Sequence, residues 1–348
     1  MVDITREIVT LKRQLGSRLC VMGHHYQHDS VVQHCDITGD SLELARRVAD
    51  VQAEHIVFCG VWFMGESAAL LAGPGQQVHL PNPDADCLMS RMSPASLARL
   101  VLEQLAEAGY PAVPLAYVNT DVALKAVVGE YGGAVCTSAN AKTMLRWALR
   151  QGERVLFLPD RHLGDNTATQ LGIDQTERHV LRVGAHGLVQ AKNQPLNRRL
   201  LLWPGCCAIH ARLSLEDVEG ARAAYPGCRI VVHPECREEV VSCCDAAGST
   251  SFLIKEAERV AAEVPGSTLV IGTENNLVKR LATRYAKQCR IVPLAHAICG
   301  NMAKVTEKRL WQALGAVVEG TATPVVVDEN LRQPARLALT RMLTACGQ

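Results

Sequence analysis

The sequence has no surplus of either charge: 36 Lys and Arg against 35 Asp and Glu leave a net +1 over 348 residues. It therefore lacks the polybasic footprint of a nucleic-acid or anionic-membrane binder. No stretch approaches the ~18 consecutive apolar residues of a membrane span, and the opening MVDITREIVTLKRQLGS is charged and helix-periodic, without the apolar core of a secretory signal. These absences predict a cytoplasmic protein with no nucleic acid and no membrane among its partners, and a small molecule as ligand. Also missing is any Cys-x-x-Cys pair, although the chain holds fourteen cysteines. That excludes a zinc ribbon and a ferredoxin-type run. A reducing compartment argues against a disulfide scaffold, so the thiols are inert hydrophobes, metal ligands or catalysts. Cys20, Cys59 and Cys136 sit inside apolar runs and read as buried hydrophobes.

What is present is short apolar runs that end in polar or glycine-bearing turns, separated by helix-periodic stretches. This is the pattern of parallel strands with crossover helices, and it predicts an α/β fold. The runs group in threes. LCVMGHH (19–25), HIVFCGV (55–61) and QVHLP (77–81) lead to Cys87. PLAYVN (114–119), AVCTSANA (134–141) and VLFLPD (155–160) lead through LLWPG to Cys207. RIVVHPE (229–235), STSFLIK (249–255) and TLVIGTE (268–274) lead through IVPLA (291–295) to Cys299. One plan is thus written three times without residue-level identity, with expected units at 1–92, 93–205 and 206–299. Residues 300–348, helix-rich with one strand-like run (TPVVVDE), are expected to supplement the first unit. The polar stretch 171–199 reads as a connector on the surface.

Several turns carry chemistry. GHHYQ (23–27) brings two imidazoles and a phenol to one strand end, and GDSL (39–42) opens a helix with Ser41 beside free backbone amides, where an anion is favoured. Asp40 or Ser41 can equally serve as an ordinary cap. TSANA (137–141) and GST (248–250) repeat the hydroxyl-rich theme and suit a ligand with several anionic groups. In WPGCCAIH, Cys207 and His210 stand three apart, as a metal ligand with a substrate-facing imidazole or as a nucleophilic pair. HPEC sets His233 and Glu235 on one side of an extended segment, the arrangement acid–base work requires, unless Pro234 simply makes a surface turn. YVN places Tyr117 and Asn119 likewise.

In order, GHHYQ, GDSLELA, FCGVWFMGES, LPNPDADCLMS, YVNTDVALKA, VCTSANA, FLPDRHLG, WPGCCAIH, HPEC, GSTSFLIK, IGTENNLVKRL and CGNM resemble the blocks of the quinolinate synthase family over roughly residues 19–310. The resemblance implies three similar three-layer αβα domains with short parallel sheets around a pseudo-threefold axis, each giving one cysteine to a [4Fe-4S] cluster. The implied ligands are Cys87, Cys207 and Cys299, with Cys206 an adjacent second thiol. The implied catalytic residues are Glu235, Tyr26 and His210; His24, Ser41, Tyr117, Asn119, Ser138, His233, Ser249 and Thr250 match substrate-contacting positions. His25 departs from the family, which commonly has Tyr or Asn there. The implied reaction condenses iminoaspartate with dihydroxyacetone phosphate to quinolinate, phosphate and water for NAD biosynthesis. L-Aspartate oxidase or dehydrogenase is the implied transient partner. Two other classes share part of this pattern: an iron–sulfur enzyme of the diphthamide-synthesis radical type, and a non-catalytic redox or metal-binding module. The second leaves the hydroxyl-rich turns and HPEC without a use.

Overall fold

The computed structural model describes residues 3–347. The first unit runs α1 (Ile4–Leu15), β1 (Leu19–His24), α2 (Asp29–Val32), β2 (Ile37–Gly39), α3 (Ser41–Val48), β3 (His55–Cys59), α4 (Trp62–Leu71) and β4 (Gln77–His79). The second runs α5 (Ala95–Glu107), β5 (Val113–Tyr117), α6 (Val122–Glu130), β6 (Ala134–Cys136), α7 (Ala141–Gln151), β7 (Val155–Leu158) and α8 (Arg161–Gln170). It continues through β8 (Arg178–Val180), the antiparallel pair β9 (Val183–Gly184) and β10 (Gly187–Leu188), and β11 (Leu200–Leu202). The third comprises α9 (Leu215–Ala224), β12 (Arg229–Val232), α10 (Glu238–Ser242), β13 (Ala246–Ala247), α11 (Thr250–Glu263), β14 (Thr268–Gly272), α12 (Asn275–Arg284) and β15 (Arg290–Pro293). Helices α13 (Glu307–Glu319) and α14 (Glu329–Ala345) close the chain.

Three parallel sheets result, in the orders β2-β1-β3-β4, β6-β5-β7-β11-β8 and β13-β12-β14-β15. In every one, the unit's first strand lies between its second and third. The connectivity reverses there, and in open parallel sheets ligands bind outside the carboxyl ends at such a switch point. The strands read as near-continuous apolar runs because helices cover both faces: Val155–Leu158 are 0% exposed throughout.

The structure corrects several expectations. STSFLIK is no strand: Ser249 Oγ accepts from the Phe252 amide, and Leu253, Ala257 and Val260 recur at helical spacing along the buried face of α11. Its apolar content belongs to period 3.6 and not 2. TPVVVDE forms no strand either; Val325 makes one 2.7 Å bond to the Val78 carbonyl, while Val326 is 76% exposed. The 171–199 stretch is more than a surface connector, since β8 adds a parallel edge to β11. Its polar Arg178 hides that role by bonding to Asp165 and the Ile173 carbonyl. Strands β2 and β13, three and two residues long, were absent from the pattern because no periodicity shows over so short a span. The 300–348 segment divides: α13 packs on α1, whereas α14 lies on α6 and β6 of the second sheet. No described helix is long and apolar enough to cross a membrane.

Candidate functional site

The repeated strand order delivers repeated chemistry. At or just past the ends of the first strands come His24 and Tyr26, Tyr117 and Asn119, and His233 and Glu235. Past the second strands come Ser41, Ser138 and Thr250; past β4, β11 and β15 come Cys87, Cys207 and Cys299. All of these line one cavity of about 570 Å³. Ser249 does not: it caps α11. At the entry to α3, Asp40 makes the capping box with Glu43, its Oδ1 accepting from the Leu42 and Glu43 amides at 3.0 Å each. The Ser41 side chain is therefore left to the cavity.

At the centre is a hydrogen-bonded chain. Glu235 Oε2 accepts from His210 Nδ1 at 2.6 Å and lies 3.2 Å from His233 Nδ1; the two imidazoles stack 4.5 Å apart. His210 Nε2 stands 3.0 Å from Thr273 Oγ1, which is 2.8 Å from the Tyr26 hydroxyl. One proton arrangement satisfies every link: Tyr26 donates to Thr273, Thr273 to His210 Nε2, and His210 Nδ1–H to Glu235. Burial by itself raises the Glu235 carboxyl, but His233 and His210 overcome it and hold Glu235 below the usual carboxylate range. Burial, then His233, lowers His210, so the imidazole is neutral. Burial and the Glu235 charge push the Tyr26 and Tyr117 phenols well above their ordinary value. Glu235 Oε1 is buried without a partner, and so is Asn119 Oδ1. In a native fold such orphans are expected to meet something the chain does not supply.

The three cavity thiols share one setting. Each cysteine precedes a 3₁₀ turn, at Met89–Met92, His210–Arg212 and Met302–Lys304. Amides at the start of that turn face the sulfur: Ser90 and Met89 for Cys87, His210 for Cys207, and Met302 with the preceding Asn301 for Cys299. Burial pushes the Cys87 thiol up to about 12. Without a cation these thiols stay protonated, and with one the waiting amides stabilise thiolate. The donor set therefore fits an iron–sulfur cluster. Cys207, His210 and Glu235 also bring ligand atoms within 4.8 Å of one another. A 2.6 Å N···O separation is a hydrogen bond, however, tighter than the roughly 3.3 Å between two donors on one tetrahedral ion.

Sequence reasoning missed Thr273, 1% exposed, although it stands in the quoted IGTENN block. It also missed Arg212 and Lys304, the two cationic side chains on the lining, which lie in stretches with no periodic or motif signal.

A family profile described as quinolinate synthetase A protein matches residues 6–344. The chain belongs to this family. It is 42% identical to the quinolinate synthase of Streptomyces coelicolor over 350 residues, covering 98% of this chain and 88% of that one. It is similarly 42% identical to that of Bacillus pumilus (98% and 92% covered) and 41% identical to that of Corynebacterium glutamicum (98% and 87%). Family membership gives the cavity a quinolinate-forming context, and the chain spans nearly all of each relative.

Proposed function

We propose that the protein condenses iminoaspartate with dihydroxyacetone phosphate to quinolinate, with release of phosphate and water. In this reading Cys87, Cys207 and Cys299 hold a [4Fe-4S] cluster. The observation that carries the reading is the convergence of three equivalent thiols on the cavity that also holds the Tyr26–Thr273–His210–Glu235 chain. When bound, a cluster with three thiolate ligands supplies a Lewis-acidic iron free of any protein ligand.

The chain's own residues do the rest. The Tyr26 phenol, held protonated by burial and the Glu235 charge, can give its proton to substrate and take one back as the next bond changes, while the bonds through Thr273 to the His210–Glu235 pair fix its position and proton arrangement. The free Oε1 of Glu235 makes this carboxylate the principal base, with His210 and Tyr26 sharing transfers. Ser41, Ser138 and Thr250, with His24 and His233, bind carboxylate and phosphate oxygens, and Arg212 and Lys304 supply the positive charge. The nitrogen comes with the substrate, so no Schiff-base lysine is needed. Iminoaspartate is unstable in water and would come from L-aspartate oxidase or dehydrogenase.

The test is anaerobic reconstitution with iron and sulfide, then assay of quinolinate from the two substrates. Cys299→Ser should abolish both the brown absorbance and the product. A retained cluster would overturn the ligand assignment, and a loaded wild type that makes no quinolinate would overturn the reaction.

A further inference from the structure

The three cysteine loops are tied down by one repeated hydrogen bond. The first helical residue after each unit's third strand donates its amide to the carbonyl two residues before the cysteine. Trp62 N bonds to Ala85 O at 2.7 Å ahead of Cys87, Arg161 N to Gly205 O at 2.9 Å ahead of Cys207, and Asn275 N to Ala297 O at 2.8 Å ahead of Cys299. These amides belong to the first turns of α4, α8 and α12, which have no partners inside their own helices.

The residue just before each helix differs. In the first unit it is Val61, without a side-chain cap, and the Cys87 amide bonds locally to Asp86 Oδ1 at 2.8 Å. In the third it is Glu274, whose carboxylate caps α12 by accepting from the Asn276 amide at 2.7 Å. In the second it is Asp160, 0% exposed, whose two oxygens do different work. Oδ1 caps α8 through the His162 and Leu163 amides, at 2.8 and 2.9 Å, and Oδ2 accepts from the Cys207 amide at 3.0 Å.

This asymmetry matters because the second unit carries adjacent thiols. In a non-helical segment neighbouring side chains point to different sides, so fixing one amide fixes which thiol faces the cavity. Cys207 lines it and Cys206 does not. We propose that Asp160 is a positioning residue that locks the register of the Cys206–Cys207 pair, presenting Cys207 to the cluster before metal arrives. It acts through the Cys207 backbone and touches neither substrate nor metal. The inference rests on the cluster reading above.

Asp160→Asn separates its two tasks. An asparagine still caps α8 but sets an N–H donor against the Cys207 amide. Asp328→Asn, at the exposed cap of α14, is the control. Each protein is reconstituted anaerobically, iron and sulfide are quantified, iron loss to a chelator is timed, and the metal-free forms are melted. The expected result is iron loss about tenfold or more faster in Asp160→Asn, the scale typical of residues that orient metal ligands. Its metal-free melting temperature should shift no more than that of Asp328→Asn. Wild-type retention in Asp160→Asn, or equal acceleration in Asp328→Asn, overturns the proposal. If Asp160→Asn does not fold, Asp160→Ser, which caps but is too short for the Cys207 amide, takes its place with the same two outcomes. A wild type that takes up no iron and sulfide overturns the cluster reading instead, a result distinct from both.

Discussion

Thr273 is a small residue with a large assigned task. Its hydroxyl bridges the Tyr26 phenol and the His210 ring, and both ends of that bridge are buried. Thr273→Val keeps the shape and removes both bonds. It should lower kcat by about 10²-fold or more, the scale of a lost acid–base link, with cluster content unchanged; Thr273→Ser should recover most of the rate. Steady-state kinetics beside iron quantification checks this. His24 gives a pH prediction. Burial, then the charges of neighbouring His25 and His233, depresses its pKa from 6.5 to about 3, while Nδ1 accepts the Tyr26 amide at 3.1 Å. Above pH ~6.5 the ring is neutral folded and unfolded and contributes no pH dependence. As pH falls from 6.5 toward 3, the unfolded chain binds a proton that the folded one refuses, so stability declines, by roughly 4 kcal/mol at the lower end. His24→Asn keeps an acceptor for the Tyr26 amide without a titrating ring. Its unfolding free energy relative to wild type should therefore rise as pH is lowered through this window, read by denaturant titration at several pH values.

Helix α3 shows how one cap serves two purposes at the level of the element. Asp40 Oδ1 closes the capping box, and Oδ2 accepts from Ser251 Oγ on α11 at 2.5 Å. The entry turn of a first-unit helix is thereby fixed to a third-unit helix, beside Ser41 and Thr250. Asp40→Ala should cost about 1–2 kcal/mol from the cap and raise KM, because the turn presenting Ser41 loosens. Asp40→Asn should keep most of the stability. Chemical denaturation and substrate titration separate the two effects. The same element shows what local sequence reveals. GDSLELA displays both its helix and its cap, whereas the partner across the interface, Ser251, is an ordinary serine in the second position of α11 and gives no signal of its own.

For the molecule as a whole, the C-terminal helix is the largest packing decision. Gly129 on α6 allows it: a Cβ there would stand 1.9 Å from the Pro334 carbonyl of α14, and Arg341 bonds to the Gly129 and Gly133 carbonyls at 2.9 and 2.7 Å. Gly129→Ala should force the helices apart and destabilise by about 1–3 kcal/mol, as overpacking does, although alanine is the better helix former. A lowered melting temperature checks it; an unchanged one would mean that α14 can shift freely. Nothing in the sequence of α14 says that it belongs on the second sheet, because its amphipathic stripe fits any apolar face. By itself the sequence determined the α/β class and the polar residues at strand ends, since those follow from local period and turn chemistry, while its strand grouping took STSFLIK of α11 for a strand and missed β2 and β13. The run pattern led to Cys87, Cys207 and Cys299, and the family resemblance implied their role as cluster ligands. Only the tertiary structure decided that thiols as far apart as Cys87 and Cys299 share a cavity, that Thr273 joins Tyr26 to His210, and that Asp160 holds Cys207. Those depend on how three sheets face one another, and spacing along one chain does not encode distances between its folded units.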